Sequence, residues 1–330
     1  MGSVAGGSTT LAVRDLSTTL FTRRGEMKAV DGLSLTVGAG ETVALVGESG
    51  CGKSLTALSI MRLLPDPPAR IVGGSVALNG RDIVALSEEA MLDVRGKEIG
   101  MIFQDPMSSL NPVTSVERQI AEVLAAHTDL DRSAARARAL ELLELVGMPD
   151  AARRLDAYPH QLSGGMCQRV MIAMAIACSP SVLIADEPTT ALDVTVQAQV
   201  LSLLKRLQAE AGMAMIFITH DLGVVAETAD RVAVMYAGRK VEEAPVDELF
   251  EAPLHPYTAG LIGATPTPGA ERAARLADIP GMVPPLNALP RGCAFAPRCK
   301  QVMPRCLEER PTLSEPAPGR LVACFAAGKG

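Results

Sequence analysis

Tryptophan is absent from this chain of 330 residues, and the aromatic residues together make up only 3% of it. So few rings argue against a base-stacking platform for single-stranded nucleic acid. Positive charge is not in excess either. Against 31 Lys and Arg stand 37 Asp and Glu, a net charge of −6, so there is no general electrostatic case for a nucleic-acid partner. No apolar run reaches the roughly 18 residues that a bilayer span requires. The nearest, Ala173 to Ala185, is interrupted by Ser179, Pro180 and Ser181. The first ten residues, MGSVAGGSTT, hold no charged segment followed by an apolar one, so they read as a flexible leader and not as a secretory signal. Their Met-Gly start matches a myristoylation signal only weakly. A cytosolic chain is expected, with any membrane association made through partners.

What is present is apolar content, 48% of the chain, enough for one large domain with an appendage. The most informative stretch is Gly47-Glu48-Ser49-Gly50-Cys51-Gly52-Lys53-Ser54, which fits G-x-x-x-x-G-K-[ST]. Thr42 to Val46 before it is a β-branched and apolar run that reads as a buried parallel strand. Lys53 to Leu64 after it has helical periodicity. Glycines let successive N–H groups curl around an anion, and the helix dipole adds partial positive charge at the same point. Lys53 is placed to reach β- and γ-phosphates, and Ser54 to offer an oxygen to Mg²⁺.

A second apolar strand, ending Leu183-Ile184-Ala185-Asp186-Glu187-Pro188, sets two acids at the carboxyl edge of a sheet, where ligands bind in open α/β folds. Asp186 suits Mg²⁺ held through water, and Glu187 suits accepting a proton from an attacking water. Gln104 and His220 each follow a predicted strand, Ile99 to Phe103 and Met215 to Thr219, so both are expected at the same edge. Leu162-Ser163-Gly164-Gly165-Met166-Cys167-Gln168-Arg169 opens a predicted helix, Met166 to Cys178, and makes a second anion-binding helix end.

Further strands are expected over Leu11 to Leu16, Val30 to Val37 and Gly73 to Leu78, the last closed by an Asn79-Gly80 hairpin signal. Ser115 to Gly147 reads as helical, with Ser115 as N-cap and Gly147 as C-cap. Strands and helices then alternate: Val182 to Ala185, Val194 to Ala211, Ala214 to Ile218, Leu222 to Thr228 and Val232 to Tyr236. That rhythm implies a parallel sheet with helices on both faces. Short helices are expected at Val246 to Glu251 and Pro256 to Gly263. Beyond Thr265 the chain is rich in Pro and Gly and carries Cys293, Cys299, Cys306 and Cys324. Such a tail cannot build a core alone and needs a metal or a surface to dock on.

These motifs together make the chain resemble the ATP-binding subunit of an ABC transporter, in matching order over residues 11–245. Leu162 to Arg169 matches the family's signature, Gly47 to Ser54 its P-loop, Leu183 to Glu187 its acidic strand, Thr190-Ala191-Leu192-Asp193 its D-loop, Gln104 its Q-loop and His220 its switch histidine. Phe21 is the best match to the adenine-stacking aromatic. The resemblance implies an α/β fold, a P-loop NTPase (ABC ATPase) core with an antiparallel β subdomain, a helical subdomain near 105–178 and a Cys-containing extension over 251–330, the cassette itself spanning 11–250. It implies a nucleotide sandwich dimer with ATP and Mg²⁺, the metal held by Ser54, Gln104 and Asp186. Glu187 would be the general base, with Gln104 and His220 completing the catalytic set. Ser163, Gly164 and Gly165 of one subunit would face the nucleotide on the other's P-loop, with Asp193 beside it.

Within the family the likeness is to oligopeptide and dipeptide importers, on Gln104 to Pro112, His255-Pro256-Tyr257-Thr258 and Arg291 to Cys299 with Cys306 and Cys324. Tails of that kind imply a [4Fe–4S] cluster on the four cysteines; structural zinc and disulfides are the alternatives. Implied partners are a second ATPase subunit, two transmembrane permeases and an extracytoplasmic solute-binding protein, without nucleic acid, on the cytoplasmic face of the inner membrane. The rival function is a soluble ATPase of DNA repair or translation, which this chain's single cassette and short helical block disfavour. A nickel or other small-solute importer is the rival substrate, and a regulatory module that barely hydrolyses ATP is disfavoured by Glu187 and His220.

Overall fold

The computed structural model describes residues 9–23, 25–190, 192–265 and 279–327. Its strands are β1 (Thr9–Thr22), β2 (Gly25–Gly38), β3 (Thr42–Val46), β4 (Ala69–Leu78), β5 (Arg81–Asp82), β6 (Ile99–Ile102), β7 (Val182–Asp186), β8 (Ala214–Ile218), β9 (Arg231–Tyr236), β10 (Arg239–Pro245), β11 (Ser314–Ala317) and β12 (Arg320–Val322). The helices are α1 (Lys53–Ile60), α2 (Glu88–Leu92), α3 (Pro106–Ser109), α4 (Val116–His127), α5 (Arg132–Leu145), α6 (Ala151–Arg154), α7 (Gly164–Ala175), α8 (Val194–Ala211), α9 (Leu222–Thr228), α10 (Val246–Glu251), α11 (Pro256–Gly263) and α12 (Pro304–Glu308). The chain divides into two compact units, one made of residues 1–11, 37–41 and 85–217, the other of 12–36, 42–84 and 218–330.

In the first unit β6 and β7 pair in parallel, Ile99 beside Val182 and Ile102 beside Ala185. Both strands are buried along their whole length, as near-continuous apolar runs of a parallel sheet covered on both faces are. Helices α4, α5 and α7 pack together. Val116, Ile120 and Leu124 are buried on α4, and Ala135, Ala139 and Leu142 on α5, at the spacing that keeps one helix face apolar. One expected boundary holds in position and one moves. Ser115 occupies the N-cap position of α4, but its hydroxyl makes no capping bond. Helix α7 begins at Gly164 and ends at Ala175, because Ser163 caps it by accepting the Met166 N–H.

The second unit carries a four-stranded sheet of order β2-β1-β4-β5, whose β4–β5 hairpin turns at Asn79 and Gly80 with φ of +48° and +82°. That pair of positive angles is the geometry an Asn-Gly turn supplies. Strand β1 begins at Thr9, within the stretch read as leader, whose residues 1–8 lie outside the described residues. The unit also holds the run β11-β12-β10-β9-β3. Strands β3 and β9 are parallel, whereas β10 pairs antiparallel with both β9 and β12. The all-parallel expectation is therefore corrected to a mixed sheet, since the tight turn at Ala237-Gly238 can only return the chain antiparallel.

The tail solves its missing core by docking. Strand β12 sets Val322 beside Glu242 of β10. Phe295, Ile279, Val283, Leu286 and Leu289 pack against Tyr236, Tyr257 and Leu249. Among the described residues no helix is long and apolar enough to cross a membrane.

Glu242 sits in the middle of β10 with no exposed surface. Its carboxylate accepts the N–H groups of Leu254 at 2.7 Å and His255 at 2.9 Å, at the entry to α11, and Arg320 of β12 lies 3.8 Å away. Removing it strands two buried donors and a half-paired arginine. Glu242→Ala should lower unfolding free energy by about 3 kcal/mol, read as a shifted denaturant midpoint at unchanged slope.

Candidate active site

The second unit forms the anion-binding loop. Gly52 adopts φ +104°, and a Cβ there would lie 2.3 Å from the Ala29 carbonyl oxygen, so only glycine fits. The same residue N-caps α1, and no side chain caps the helix. No acidic residue stands in the first turn, which leaves the dipole unopposed. Lys53 is buried, and its Nζ donates to the carbonyls of Gly47 at 2.7 Å and Glu48 at 3.1 Å. The ammonium thus rests folded over the loop that would hold the phosphates. Cys51 is buried beside it, its Sγ 3.8 Å from Nζ, and burial pushes the thiol's pKa up. Ser54 opens α1 next to Lys53, and Ser49 and Gly50 lie in the loop itself.

His220 stands exposed just past β8. Asp221 caps α9 by accepting N–H groups of Gly223 and Val224, which fixes the turn carrying the histidine. Phe21 near the end of β1 is 43% exposed, so it is no core residue and its ring is open to stacking.

The first unit carries the acidic edge. Ile102 and Ala185 are partners in the β6–β7 ladder, so Gln104 and Glu187 emerge two residues beyond the same rung. Gln104 Nε2 donates to Glu187 Oε2 at 2.9 Å, and Thr190 Oγ1 donates to the same oxygen at 2.9 Å. Glu187 adopts φ +48°, a strained conformation for a residue with a Cβ and a recurrent mark of functional positions. Asp186 precedes it, buried at the end of β7.

The signature segment lies in the same unit. Ser163 and Gly164 are exposed at the start of α7. At Gly165 an added Cβ would come within 2.8 Å of Val196 Cγ1, so the glycine admits the start of α8. Arg169 donates to the Val146 carbonyl and, at 2.9 Å, to Gln199, tying α7 to the end of α5 and to α8. Asp193 caps α8 through the Val196 N–H at 3.0 Å. Ala191 of the D-loop match lies outside the described residues.

Cys293, Cys299, Cys306 and Cys324 gather around one pocket with His255 and Phe295. All are free thiols, so the disulfide alternative finds no bond here. Burial first, and then the neighbouring Cys306 and Cys324, pushes the pKa values of Cys293 and Cys299 up. His255 is pushed down to about 4 by burial and stays neutral; its Nδ1 accepts the Tyr257 N–H at the start of α11. Among the described residues, no three His, Cys, Asp or Glu side chains converge so as to hold one metal ion. The zinc expectation therefore finds no site, and the expected cluster gains only the common pocket.

Two residues to which the sequence assigned no role reach the anion-binding loop. Tyr257 Oη accepts the Glu48 N–H at 2.8 Å, and Arg298 pairs with the Glu48 carboxylate. The HPYT and APRC segments that carry them were visible in the sequence, but nothing in them announces a partner 250 residues away.

Residues 30–190 match the ABC transporter family, and residues 241–306 match the oligopeptide/dipeptide transporter C-terminal region. A protein of Sinorhizobium fredii named as a probable peptide ABC transporter ATP-binding protein is 54% identical over 97% of this chain and 95% of its own length. The chain belongs to the ATP-binding subunits of ABC transporters. The oligopeptide transport ATP-binding protein AppD of Bacillus subtilis is 51% identical over 96% of this chain and 97% of its own. In structure, the chain is similar to the dimeric ATP-binding cassette MJ0796 in its post-hydrolysis state with ADP and Pi. The TM-score is 0.65 at 28% identity, over 72% of this chain and 98% of that one. The fold is thus the ABC cassette, and like other ATP-binding subunits of this family the chain is an ATPase.

The Gly165–Val196 contact predicts a specific pair of outcomes. Gly165→Ala should cost about 1–3 kcal/mol of stability through overpacking. Val196→Ala in the same chain should return most of that loss, read by thermal denaturation of both variants.

Proposed function

We propose that this chain hydrolyses ATP to power import of di- or oligopeptides through a membrane ABC transporter. The observation that carries the reading is the extent of the likeness. It runs through both the cassette and the C-terminal region found in oligopeptide and dipeptide transporters. Neither repair or translation ATPases nor a nickel importer is favoured by those relatives.

In this reading residues 11–250 are the cassette, with a helical part near 105–178, and 251–330 are the extension. The backbone N–H groups of Gly47 to Ser54 and the Lys53 ammonium hold the β- and γ-phosphates, after Lys53 has left the carbonyls of Gly47 and Glu48. Phe21 stacks on adenine. Ser54, Asp186 and Gln104 would hold Mg²⁺, which neutralises phosphate charge. Ser163, Gly164 and Gly165 of a second ATPase subunit close over the nucleotide, with Asp193 at that junction. At rest Gln104 and Thr190 occupy Glu187; turnover requires Gln104 to let go, so that the carboxylate accepts a proton from water while His220 steadies the γ-phosphate. The subunit works with transmembrane permeases. The paralogous ATPase, the solute-binding protein and the cytoplasmic face of the membrane belong to the proposal.

A second proposal concerns the cysteine pocket. In a [4Fe–4S] cluster each iron takes one thiolate, and the four cysteines that line one pocket match that number. Cys293, Cys299, Cys306 and Cys324 would hold it as a structural staple for a segment with little core of its own. Anaerobic purification should give brown protein with iron and acid-labile sulfide; colourless protein with stoichiometric zinc rejects the cluster.

Glu187→Gln should leave ATP affinity within a few-fold and slow hydrolysis by at least about a hundredfold. It should also trap an ATP-bound dimer with the partner subunit, read by size-exclusion chromatography. Undiminished hydrolysis removes Glu187 from the base role.

A further inference from the structure

The anion-binding loop contains an acid. Glu48 lies one residue after Gly47, in a segment that must accept a polyanionic nucleotide, where a free carboxylate would repel the phosphates. The C-terminal extension deals with that charge. Arg298 NH1 donates to Glu48 Oε2 at 2.9 Å and NH2 donates to Oε1 at 3.1 Å, a two-pronged pair across 250 residues of sequence. The guanidinium side chain is only 5% exposed and the carboxylate side chain 26%, so water screens this pair less than a surface pair.

The arginine is itself held. Its Nε donates to the Pro280 carbonyl at 2.9 Å, and its Cζ stands 5.9 Å from the ring centroids of both Tyr236 and Phe295. Those two rings lie 5.3 Å apart, edge to face, and Tyr257 lies 4.7 Å from Tyr236. Tyr257 Oη accepts the Glu48 N–H at 2.8 Å, so one residue of the loop is gripped by both backbone and side chain. The Glu48 carbonyl is also one of the two that seat the Lys53 ammonium at rest. Where Glu48 sits therefore decides where Lys53 starts.

We infer that Arg298 and Tyr257 of the C-terminal extension are positioning residues for nucleotide binding: a clamp on Glu48 that neutralises its charge and fixes the loop's curl. The inference rests on reading Gly47 to Ser54 as the ATP site. Neither residue touches nucleotide; each acts through Glu48.

The test uses the full chain and a fluorescent non-hydrolysable ATP analogue at low and high salt. Arg298→Ala should weaken binding about tenfold at low salt, with the defect shrinking as salt screens the bared carboxylate. Adding Glu48→Gln to that variant should restore affinity to within about twofold of the parent, a coupling that independent sites do not show. Tyr257→Phe should weaken binding without the salt dependence, since it removes an acceptor and no charge. If Arg298→Ala does not fold, Arg298→Gln carries the same expectations. Wild-type affinity in the arginine variants, or a defect that Glu48→Gln fails to repair, overturns the clamp. Lys53→Ala is the control: its loss of binding upholds the loop as the ATP site, and retained binding overturns that reading and the clamp together.

Discussion

The register of parallel strands is the constraint on which the catalytic side chains depend. Ile102 faces Ala185 across the β6–β7 ladder, so the residues two steps on, Gln104 and Glu187, leave the sheet at one level and meet at 2.9 Å. A slip of one residue would turn every side chain of a strand to its other face and separate the pair. Burial of both strands along their length is what forbids the slip. Strand β3 is fixed in the same way by β9, with Val46 beside Val234, and it delivers Gly47 to the start of the phosphate-binding turn. Rigid strands and short, strained exits are how this fold holds reactive groups without dedicating a core to them.

The second theme is the use of scarce aromatic residues. The chain has three Tyr and six Phe. Tyr236, Tyr257 and Phe295 pack within 5.4 Å of one another, centroid to centroid. They come from β9, α11 and the cysteine-bearing segment. Their cluster joins the extension to the second unit's core, and its polar tips and the adjacent Arg298 project toward the loop. A chain poor in rings has spent three of them at the junction of its nucleotide loop and its most irregular segment.

Much of this was legible in advance. Helices α8, α9, α10 and α11 and strand β8 fall where periodicity and Gly or Pro boundaries put them. Strands β10, β11 and β12 did not, because β10 carries Lys240, Glu242 and Glu243 in buried positions and so breaks the apolar pattern. Lys240 and Glu243 pair with each other, and Glu242 is satisfied by N–H groups of Leu254 and His255. A buried charge is tolerable only with such partners, and the partners come from tertiary structure. Asp193 was expected at a nucleotide junction and is seen capping α8, a local job that its position before a helix already allowed.

The sequence by itself determined the chemistry on offer: a glycine turn before a helix, two acids after a buried strand, a second capped helix end, and a set of four thiols. Spacing sufficed for the two helix ends because each acts through backbone N–H groups within a few residues of itself, and for the acids and thiols because residue type alone carries the chemistry. Only the tertiary structure decided which distant groups meet. Glu48 found Arg298 and Tyr257, and Glu187 found Gln104, through contacts whose partners lie 83 to 250 residues apart, and the tail found β10. No local pattern encodes such a meeting; it follows from sheet register and from the burial of apolar surface, which are properties of the whole chain.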